Sequence, residues 1–293
     1  MPMELTNKGV IKELLKKYNA KPEKYLGQHF ILSKSALQKM IDEVKIVKND
    51  TIVEIGSGLG TLTKELAETG AKIIAIEKDP LMISILKETL VNYKNVKIIQ
   101  ADARNLFKPN LPTFYPISNV GFGKSEYSEY KVIANLPYNV ATFLIRRWLE
   151  IKNPPEMMVL IIQKEVARRI VAKPPRMNLL AVSTQFYAIA EIVKYVPKEM
   201  FWPRPKVDAA IIKIVPKNLK MSKRSQKTRR AFFAVVKAGF SQPRKQLINN
   251  LSKKINIPKE KLVPMFRDLN ISERVRAENL DLNQWLCLLK LIT

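Results

Sequence analysis

An apolar run that predicts a buried strand ends in Asn135, Leu136, Pro137 and Tyr138. The side-chain oxygen of Asn135 and a backbone carbonyl near Leu136 are acceptors, and each can take one hydrogen of an aromatic amine. Pro137 fixes its own φ and helps to hold that carbonyl in place, while the ring of Tyr138 offers a flat face to a base. Residues of these types can orient an amine that is attached to a flat ring. The simpler alternative is that these residues only end a strand.

A glycine-rich turn indicates where a second ligand binds. Gly56, Gly58 and Gly60 follow the apolar run that begins at Thr51 and precede a helical pattern. Glycine lets a backbone turn sharply and approach a ligand closely in front of a helix N-terminus. The G-x-G-x-G spacing is not the G-x-G-x-x-G of pyrophosphate binders, and no Lys-Ser/Thr pair follows for a triphosphate. Taken alone, the turn also fits a tight strand-to-helix connection without a ligand.

Further acids stand at the ends of the next predicted strands. Glu77 lies 21 residues after Gly56, where dinucleotide-binding folds place an acid on the ribose hydroxyls. Asp102 ends the third predicted strand and can accept hydrogens from an adenine amino group. Together with Glu54 they supply an acid at three successive strand ends, the edge at which open sheets bind nucleosides. Singly, each acid fits a solvated carboxylate, and the nucleoside can belong to NAD or to S-adenosylmethionine.

The elements that must hold these residues alternate between strand and helix. Strand patterns lie within Thr51–Gly60, Lys72–Asp79, Val96–Ala103 and Lys131–Asn139, and a fifth begins at Met157. Because the runs are apolar throughout, they predict parallel strands covered on both faces. Two later segments, "IVKYVP" and "AAIIKIVP", are joined by the Pro-rich loop Phe201–Lys206 and predict a closing antiparallel pair. A helix is predicted from Ser33, its N-cap, to about Val44.

Two stretches depart from this alternation. Residues 106–130 carry three prolines and two glycines between the third and fourth strands, and loops of this length are usually functional or disordered. After residue 216 the chain becomes polar and basic and then helical. We therefore predict a first domain over residues 1–216 and a helical second domain over residues 217–293, with helices at Ala231–Phe240, Arg244–Lys254, Pro258–Phe266 and Leu282–Ile292.

The charge of the chain indicates a polyanionic partner. Its 293 residues include 51 Lys and Arg against 26 Asp and Glu, a formal net charge of +25, which favours nucleic acid. Between residues 204 and 245 only Asp208 opposes 13 basic residues, which we interpret as an RNA-phosphate surface rather than a merely solvated face. They are Arg204, Lys206, Lys213, Lys217, Lys220, Lys223, Arg224, Lys227, Arg229, Arg230, Lys237, Arg244 and Lys245.

The composition also argues against several classes of protein. No apolar run approaches the ~18 residues of a membrane-spanning helix. The one cysteine, Cys287, allows no disulfide within the chain, which fits a reducing cytoplasm. With His29 as the one histidine, a zinc site is not expected.

The sequence Asn-Leu-Pro-Tyr resembles the motif of methyltransferases that act on exocyclic amines, and this favours S-adenosylmethionine over NAD. Nearly the whole chain resembles the rRNA adenine dimethyltransferase family, in particular its bacterial small-subunit (16S) type. The other segments that carry the resemblance are "KYLGQHF" (24–30), "EIGSGLGTLT" (54–63), "IEKD" (76–79), "ADA" (101–103), "QKEVARRI" (163–170), "MFWPRPKVDAA" (200–210), "FSQPRKQLINNL" (240–251) and "RAENL" (276–280).

This resemblance implies an α/β fold, a Rossmann-like class I methyltransferase domain with a mostly parallel seven-stranded sheet and a small all-helical C-terminal domain. It implies transfer of methyl groups to the N6 amines of two adjacent adenosines near the 3′ end of 16S rRNA, in the immature small ribosomal subunit. The contacts it implies for S-adenosylmethionine are His29, Ile31, Gly56, Glu77, Asp102 and Asn135. The predicted catalytic residues are Asn135, Leu136, Tyr138 and Phe201, and the resemblance implies that Phe201 is a second aromatic wall opposite Tyr138.

A cytoplasmic monomer that needs no metal is expected. Two alternatives remain open at this point. One is the large-subunit adenine methyltransferase of the macrolide-resistance type, although the segments after residue 240 favour the small-subunit type. The other is a ribosome assembly factor in which methylation is secondary. An NAD-dependent dehydrogenase is disfavoured by the glycine spacing and the charge.

Overall fold

The computed structural model describes residues 3–107, 129–151, 153–217 and 226–292. The chain forms two compact units, one of Met1–Ala167 with Glu191–Pro216 and one of Arg168–Ala190 with Lys217–Thr293. The step from Pro216 to Lys217 coincides with the predicted domain boundary. Residues 168–190 differ from the prediction, which gave them to the first domain, because they pack with the C-terminal helices instead. Most of the predicted loop 106–130, residues 108–128, lies outside the described residues, as do Lys220, Lys223 and Arg224.

Nine strands are described, and seven of them form one sheet. The sheet runs in the order β4-β3-β2-β5-β6-β9-β7, while β1 pairs with β8 alone. The strands are β1 (Phe30–Ile31), β2 (Thr51–Ile55), β3 (Lys72–Glu77), β4 (Val96–Gln100), β5 (Lys131–Asn135), β6 (Met157–Gln163), β7 (Ala188–Val196), β8 (Phe201–Trp202) and β9 (Ala209–Pro216).

The direction of the strands confirms the predicted sheet. Neighbouring strands from β4 to β6 are parallel, whereas β9 runs antiparallel to β6, with Gln163 opposite Ala209. The predicted closing segments are neighbours in the sheet. Inner residues of the central strands, such as Val53, Ile74 and Ile133, are fully or almost fully buried. A sheet apolar on both faces needs helices on both sides, as the alternating sequence requires.

Six helices lie among the described residues of the first unit, and some of them begin at a capping side chain. They are α1 (Lys8–Lys17), α2 (Lys34–Val44), α3 (Thr61–Glu68), α4 (Pro80–Thr89), α5 (Ala141–Glu150) and α6 (Lys164–Ile170), the last of which continues into the second unit. Ser33 caps α2 as predicted, because its side chain accepts from the N–H of Ala36. Asp79 caps α4 in the same way through the N–H of Leu81. A short 3₁₀ helix, Lys24–Leu26, precedes β1.

The described residues of the second unit form helices and their connecting loops, apart from the first residues of β7. Its further helices are α7 (Leu179–Tyr187), α8 (Gln226–Gly239), α9 (Leu247–Ile255), α10 (Lys259–Asp268) and α11 (Leu282–Ile292). The ring of Phe186 stacks on that of Phe232 at 4.6 Å between centroids. The N–H of Met177 donates to the carbonyl oxygen of Glu278 at 3.0 Å. These contacts explain why residues 168–190 belong to this unit.

Two features of the described residues bear on the kind of site this fold can carry. None of their helices is long and apolar enough to cross a membrane. The same residues contain no group of three or more His, Cys, Asp or Glu side chains placed to hold a metal ion.

Candidate active site

A cavity of about 270 Å³ opens at the carboxyl edge of the central strands. Its walls come from residues 25–31, from the turns after β2, β3 and β4, and from residues 135–140 after β5. All six predicted cofactor residues line it, namely His29, Ile31, Gly56, Glu77, Asp102 and Asn135, and so do Leu136 and Tyr138. Parallel strands bring their carboxyl ends to one edge, and this is why the residues at the ends of β2, β3, β4 and β5 meet here.

The glycine turn and Glu77 form one wall of the cavity. Gly56 has φ +73°, a left-handed conformation that glycine adopts without strain. The Glu77 carboxylate accepts hydrogen bonds from the backbone N–H groups of Gly58 at 2.8 Å, Lys78 at 2.7 Å and Asp79 at 2.9 Å. Burial raises the pKa of Glu77, and these three N–H donors oppose the rise. Glu77 is thus both a potential acceptor for ribose hydroxyls and a structural part of the turn.

Asp102 differs from Glu77 because cations surround it. Its carboxylate accepts from Arg104 Nη2 at 2.6 Å and from the N–H of Arg104 at 2.9 Å, and Lys78 Nζ lies 3.1 Å away. The Arg104 contacts hold the pKa of Asp102 well below its usual range. A carboxylate that stays ionised is a hydrogen-bond acceptor for an adenine amino group, the role predicted for it.

Glu54, the third acid, is bonded to the glycine turn and to the helix that follows it. Its carboxyl group is only 2% exposed, and its Oε2 accepts from Thr63 Oγ1 at 2.5 Å and from Ser57 Oγ at 3.0 Å. Burial raises the pKa of Glu54 to about 7, against the effect of the two hydroxyl donors. The residue lies inside β2 rather than at its end. Its bonds join the strand, the turn and α3.

Asn135 is oriented by the N-terminal loop. Its Nδ2 donates to the carbonyl oxygen of His29 at 2.9 Å, so the other branch of the amide is the acceptor Oδ1. The N–H of Leu136 donates to Ile161 O at 3.1 Å, which fixes the turn to β6. His29 Nδ1 lies 2.6 Å from the carbonyl oxygen of Pro203. Since a carbonyl only accepts, Nδ1 is the protonated nitrogen in that bond.

Tyr138 presents its ring beside His29. The two ring centroids lie 5.8 Å apart with an interplanar angle of 32°. Burial raises the pKa of the Tyr138 phenol to about 12, with a smaller contribution from Asp208. The phenol therefore stays protonated near neutral pH and cannot serve as a general base there. What it offers to a ligand is a half-buried aromatic face.

Phe201 lies elsewhere than the prediction placed it. It pairs with Ile31 through the β1–β8 ladder, and the residue is only 3% exposed, within a hydrophobic cluster that also contains Ile31. It does not line the cavity. Its apolar ring is covered by neighbours such as Val196 and Ala209 of the same cluster, so the expected second aromatic wall opposite Tyr138 is not formed by Phe201. The imidazole of His29 is the ring that neighbours Tyr138.

Gln28 is a structural member of the site that the sequence analysis missed. Its Nε2 donates to Asp79 Oδ2 at 2.8 Å, and its Oε1 accepts from the N–H of Glu23 at 2.8 Å. It thereby ties the N-terminal loop to the start of α4. The Asp-Pro sequence at residues 79 and 80 predicts a helix N-cap. Nothing in the local sequence indicates that Asp79 bonds to Gln28, 51 positions earlier.

Comparison with known proteins assigns the family. The family model described as ribosomal RNA adenine dimethylase matches residues 5–293 of this chain. The chain belongs to this family. It is similar to ribosomal RNA small subunit methyltransferase A of Dehalococcoides mccartyi, with 36% identity over 285 residues, 94% of this chain and 91% of the relative. The protein of the same description from Geobacillus thermodenitrificans is 36% identical over 295 residues, 97% of this chain and 96% of the relative.

Two solved structures share the fold of this chain. A dimethyladenosine transferase from Plasmodium falciparum gives a TM-score of 0.69 at 26% identity, over 88% of this chain and 95% of that one. The 23S rRNA methyltransferase ErmE also gives 0.69, at 20% identity, over 89% and 98%, which shows the fold alone. Together with the family match, these results confirm the predicted Rossmann-like class I fold and an rRNA adenine dimethyltransferase, an enzyme of the class that uses S-adenosylmethionine.

Proposed function

We propose that this enzyme methylates the N6 amines of two adjacent adenosines near the 3′ end of 16S rRNA in the immature small ribosomal subunit, with S-adenosylmethionine as methyl donor. The observation that carries the proposal is the cavity that joins the glycine turn, Glu77 and Asp102 to Asn135 and Tyr138. Support for the small subunit comes from the relatives at 36% identity, which are small-subunit methyltransferases. Four methyl transfers then complete the reaction.

The lining of the cavity fits the cofactor. Asp102 is an ionised acceptor suited to the adenine amino group, and Glu77 lies at the end of β3 with a carboxylate suited to the ribose hydroxyls. Gly56, at the tip of the turn, leaves room for a ligand close to the backbone. The bound cofactor supplies a methyl group on a positively charged sulfur, which makes that methyl electrophilic. His29, Ile31 and Asn135 line the same cavity and complete the predicted contact set.

Asn135 and Leu136 position the target amine. The lone pair of an adenine amino group is delocalised into the ring, which makes the nitrogen a poor nucleophile. Hydrogen bonds from its two hydrogens to Asn135 Oδ1 and to a backbone carbonyl near Leu136 favour a pyramidal nitrogen with its lone pair aimed at the methyl group. The bond from Asn135 Nδ2 to His29 O fixes this orientation of the amide before substrate arrives. Catalysis here is positioning and electrostatic assistance.

Tyr138 holds the ring of the target base. An adenine must leave its stack to reach a cavity of this kind, and an aromatic face compensates for part of the lost stacking, by about 1–3 kcal/mol per base. Since its phenol stays protonated near neutral pH, Tyr138 does not take the proton released from the amine. No strong base is needed, because the methylated nitrogen is acidic enough to release its proton to water.

The basic stretch supplies the contacts to RNA phosphates in this proposal. Some of its members bond within their own unit: Arg204 pairs with Glu199, and Lys213 lies 3.1 Å from Glu43 Oε2. Lys217 donates to Gln185 O at 2.6 Å, and burial lowers its pKa. The exposed members among the described residues are Arg204, Lys206, Lys227, Arg230, Lys237, Arg244 and Lys245. Exposed cations that neutralise phosphates make binding dependent on salt.

Mass spectrometry of nucleosides tests the proposal. Undermethylated small subunits are incubated with the enzyme and S-adenosylmethionine, and dimethyladenosine is expected in two adjacent positions near the 3′ end. Asn135→Ala is the matched variant: it keeps the exposed cations, so subunit binding persists, while the single-turnover rate at saturating cofactor falls about 10²- to 10³-fold. A wild-type rate in Asn135→Ala would remove the assigned role of this amide. Methylation of large-subunit RNA instead would favour the macrolide-resistance type.

A further inference from the structure

Tyr25 is an aromatic residue that the proposed reaction leaves unassigned. It lies on the 3₁₀ helix Lys24–Leu26 and borders the active-site cavity, yet it is 73% exposed. A single exposed apolar residue is ordinary on a protein surface and proves nothing by itself. What sets Tyr25 apart is its place on the rim of the cavity and the way in which its turn is held.

The turn that carries Tyr25 is braced on both sides. The carbonyl oxygen of Glu23 accepts from the N–H groups of Leu26 at 3.2 Å and Gln28 at 3.4 Å. The side chain of Gln28 closes the turn through the N–H of Glu23 and anchors it to Asp79, the N-cap of α4. A ring presented on a braced turn loses less conformational freedom when it meets a ligand than one on a loose loop.

The same turn packs against the catalytic segment. Gly27 has φ +68°, and a Cβ placed there would lie 3.3 Å from Pro137 Cβ and 3.7 Å from the backbone nitrogen of Tyr138. This close approach needs glycine. Tyr25 is therefore two residues from a direct contact with the segment that holds the target base. The carboxylates assigned to the cofactor nucleoside lie elsewhere in the site, because Glu77 ends β3 and Asp102 follows β4.

We propose that Tyr25 is a second base-binding surface, on which the nucleobase next to the target adenosine stacks. The inference rests on the proposed function. When one adenosine leaves its stack for the cavity, its neighbour loses a stacking partner and exposes a face. A rigid, exposed aromatic ring on the rim replaces that partner. Lys21, exposed four residues earlier on the same loop, adds positive charge for the connecting phosphate.

Single-turnover kinetics with undermethylated small subunits and saturating S-adenosylmethionine tests this role. Tyr25→Ala should raise the subunit concentration for half-maximal rate about 5- to 150-fold, the range for loss of one stacking platform. Tyr25→Phe keeps the ring and should behave as wild type. Tyr195→Ala is the control, because Tyr195 is a tyrosine 45% exposed that does not line the cavity. Calorimetry should give the same cofactor affinity for all four proteins.

Three outcomes would overturn the inference. If Tyr25→Ala and Tyr195→Ala reached half-maximal rate at the same subunit concentration, the Tyr25 ring would contact only solvent. Weaker binding of S-adenosylmethionine to Tyr25→Ala would assign the ring to the cofactor instead of RNA. Failure of Tyr25→Phe to restore the wild-type value would show that the hydroxyl group, and not stacking, matters. A wild-type enzyme that does not methylate small subunits would overturn the proposed function itself, and this inference with it.

Discussion

Replacement of Glu54 by glutamine should make the protein more stable at alkaline pH. Glu54 is buried beneath the glycine turn, and desolvation raises its pKa from 4.5 to about 7. Between these values the folded protein keeps a proton that the unfolded chain releases, so stability falls as pH rises through this window. One pKa unit corresponds to about 1.4 kcal/mol. The cost of ionising Glu54 in the folded state is therefore roughly 3 kcal/mol at pH values above the window.

Glutamine keeps the shape of the side chain and an acceptor oxygen for the hydroxyls of Ser57 and Thr63, but it has no charge to desolvate. The free energy of unfolding of Glu54→Gln and of wild type should be similar near pH 4.5. Above pH 7 the variant should be more stable by as much as ~3 kcal/mol. Equilibrium urea unfolding at a series of pH values measures the difference, with Glu13→Gln, at an exposed position of α1, as the control. A stability difference that does not change with pH would refute the argument.

The remaining predictions concern cofactor and RNA. Glu77→Ala should lower the affinity for S-adenosylmethionine about 10- to 100-fold, because a hydrogen bond to a charged group contributes ~1.5–3 kcal/mol; unchanged calorimetric binding would remove Glu77 from the site. The same variant should also lose stability, since the N–H of Asp79 is left buried without its acceptor. Charge reversal of Lys227 and Arg230 should weaken subunit binding. The slope of the logarithm of the binding constant against the logarithm of the salt concentration should become shallower by ~0.7–0.9 per lost contact. An unaltered slope would show that both side chains contact only solvent.

Local sequence was enough to predict most elements of the fold. Continuous apolar runs predicted the five parallel strands, and Ser33 predicted the start of α2. The apolar pattern of a strand and the capping side chain of a helix both lie in the local sequence, so they can be recognised without the fold. The helical character of the C-terminal residues was predicted in the same way, although α9 begins at Leu247 rather than at Arg244. The turn before it forms its own bonds, as Lys245 N–H donates to Gln242 O.

The meeting of the site residues was predicted in part. Parallel strands place their carboxyl ends together, and so the sequence by itself determined that the residues after β2, β3, β4 and β5 share one edge. The resemblance added His29 and Ile31, which no rule of strand topology would bring there. Family membership confirmed the fold and the enzyme class, whereas the role of each site residue is still a prediction.

Tertiary structure alone decided which partners the side chains of the candidate site have and how far they are buried. Phe201 has the same aromatic character in sequence as Tyr138, but its ladder with Ile31 places it in the core. Glu54 lies within β2 and Asp102 follows β4, and both are acids, yet burial raises the pKa of Glu54 and nearby cations lower the pKa of Asp102. The physical reason is range: backbone preference acts over a few residues, whereas desolvation and hydrogen-bond partners depend on side chains that the fold brings together from far along the chain.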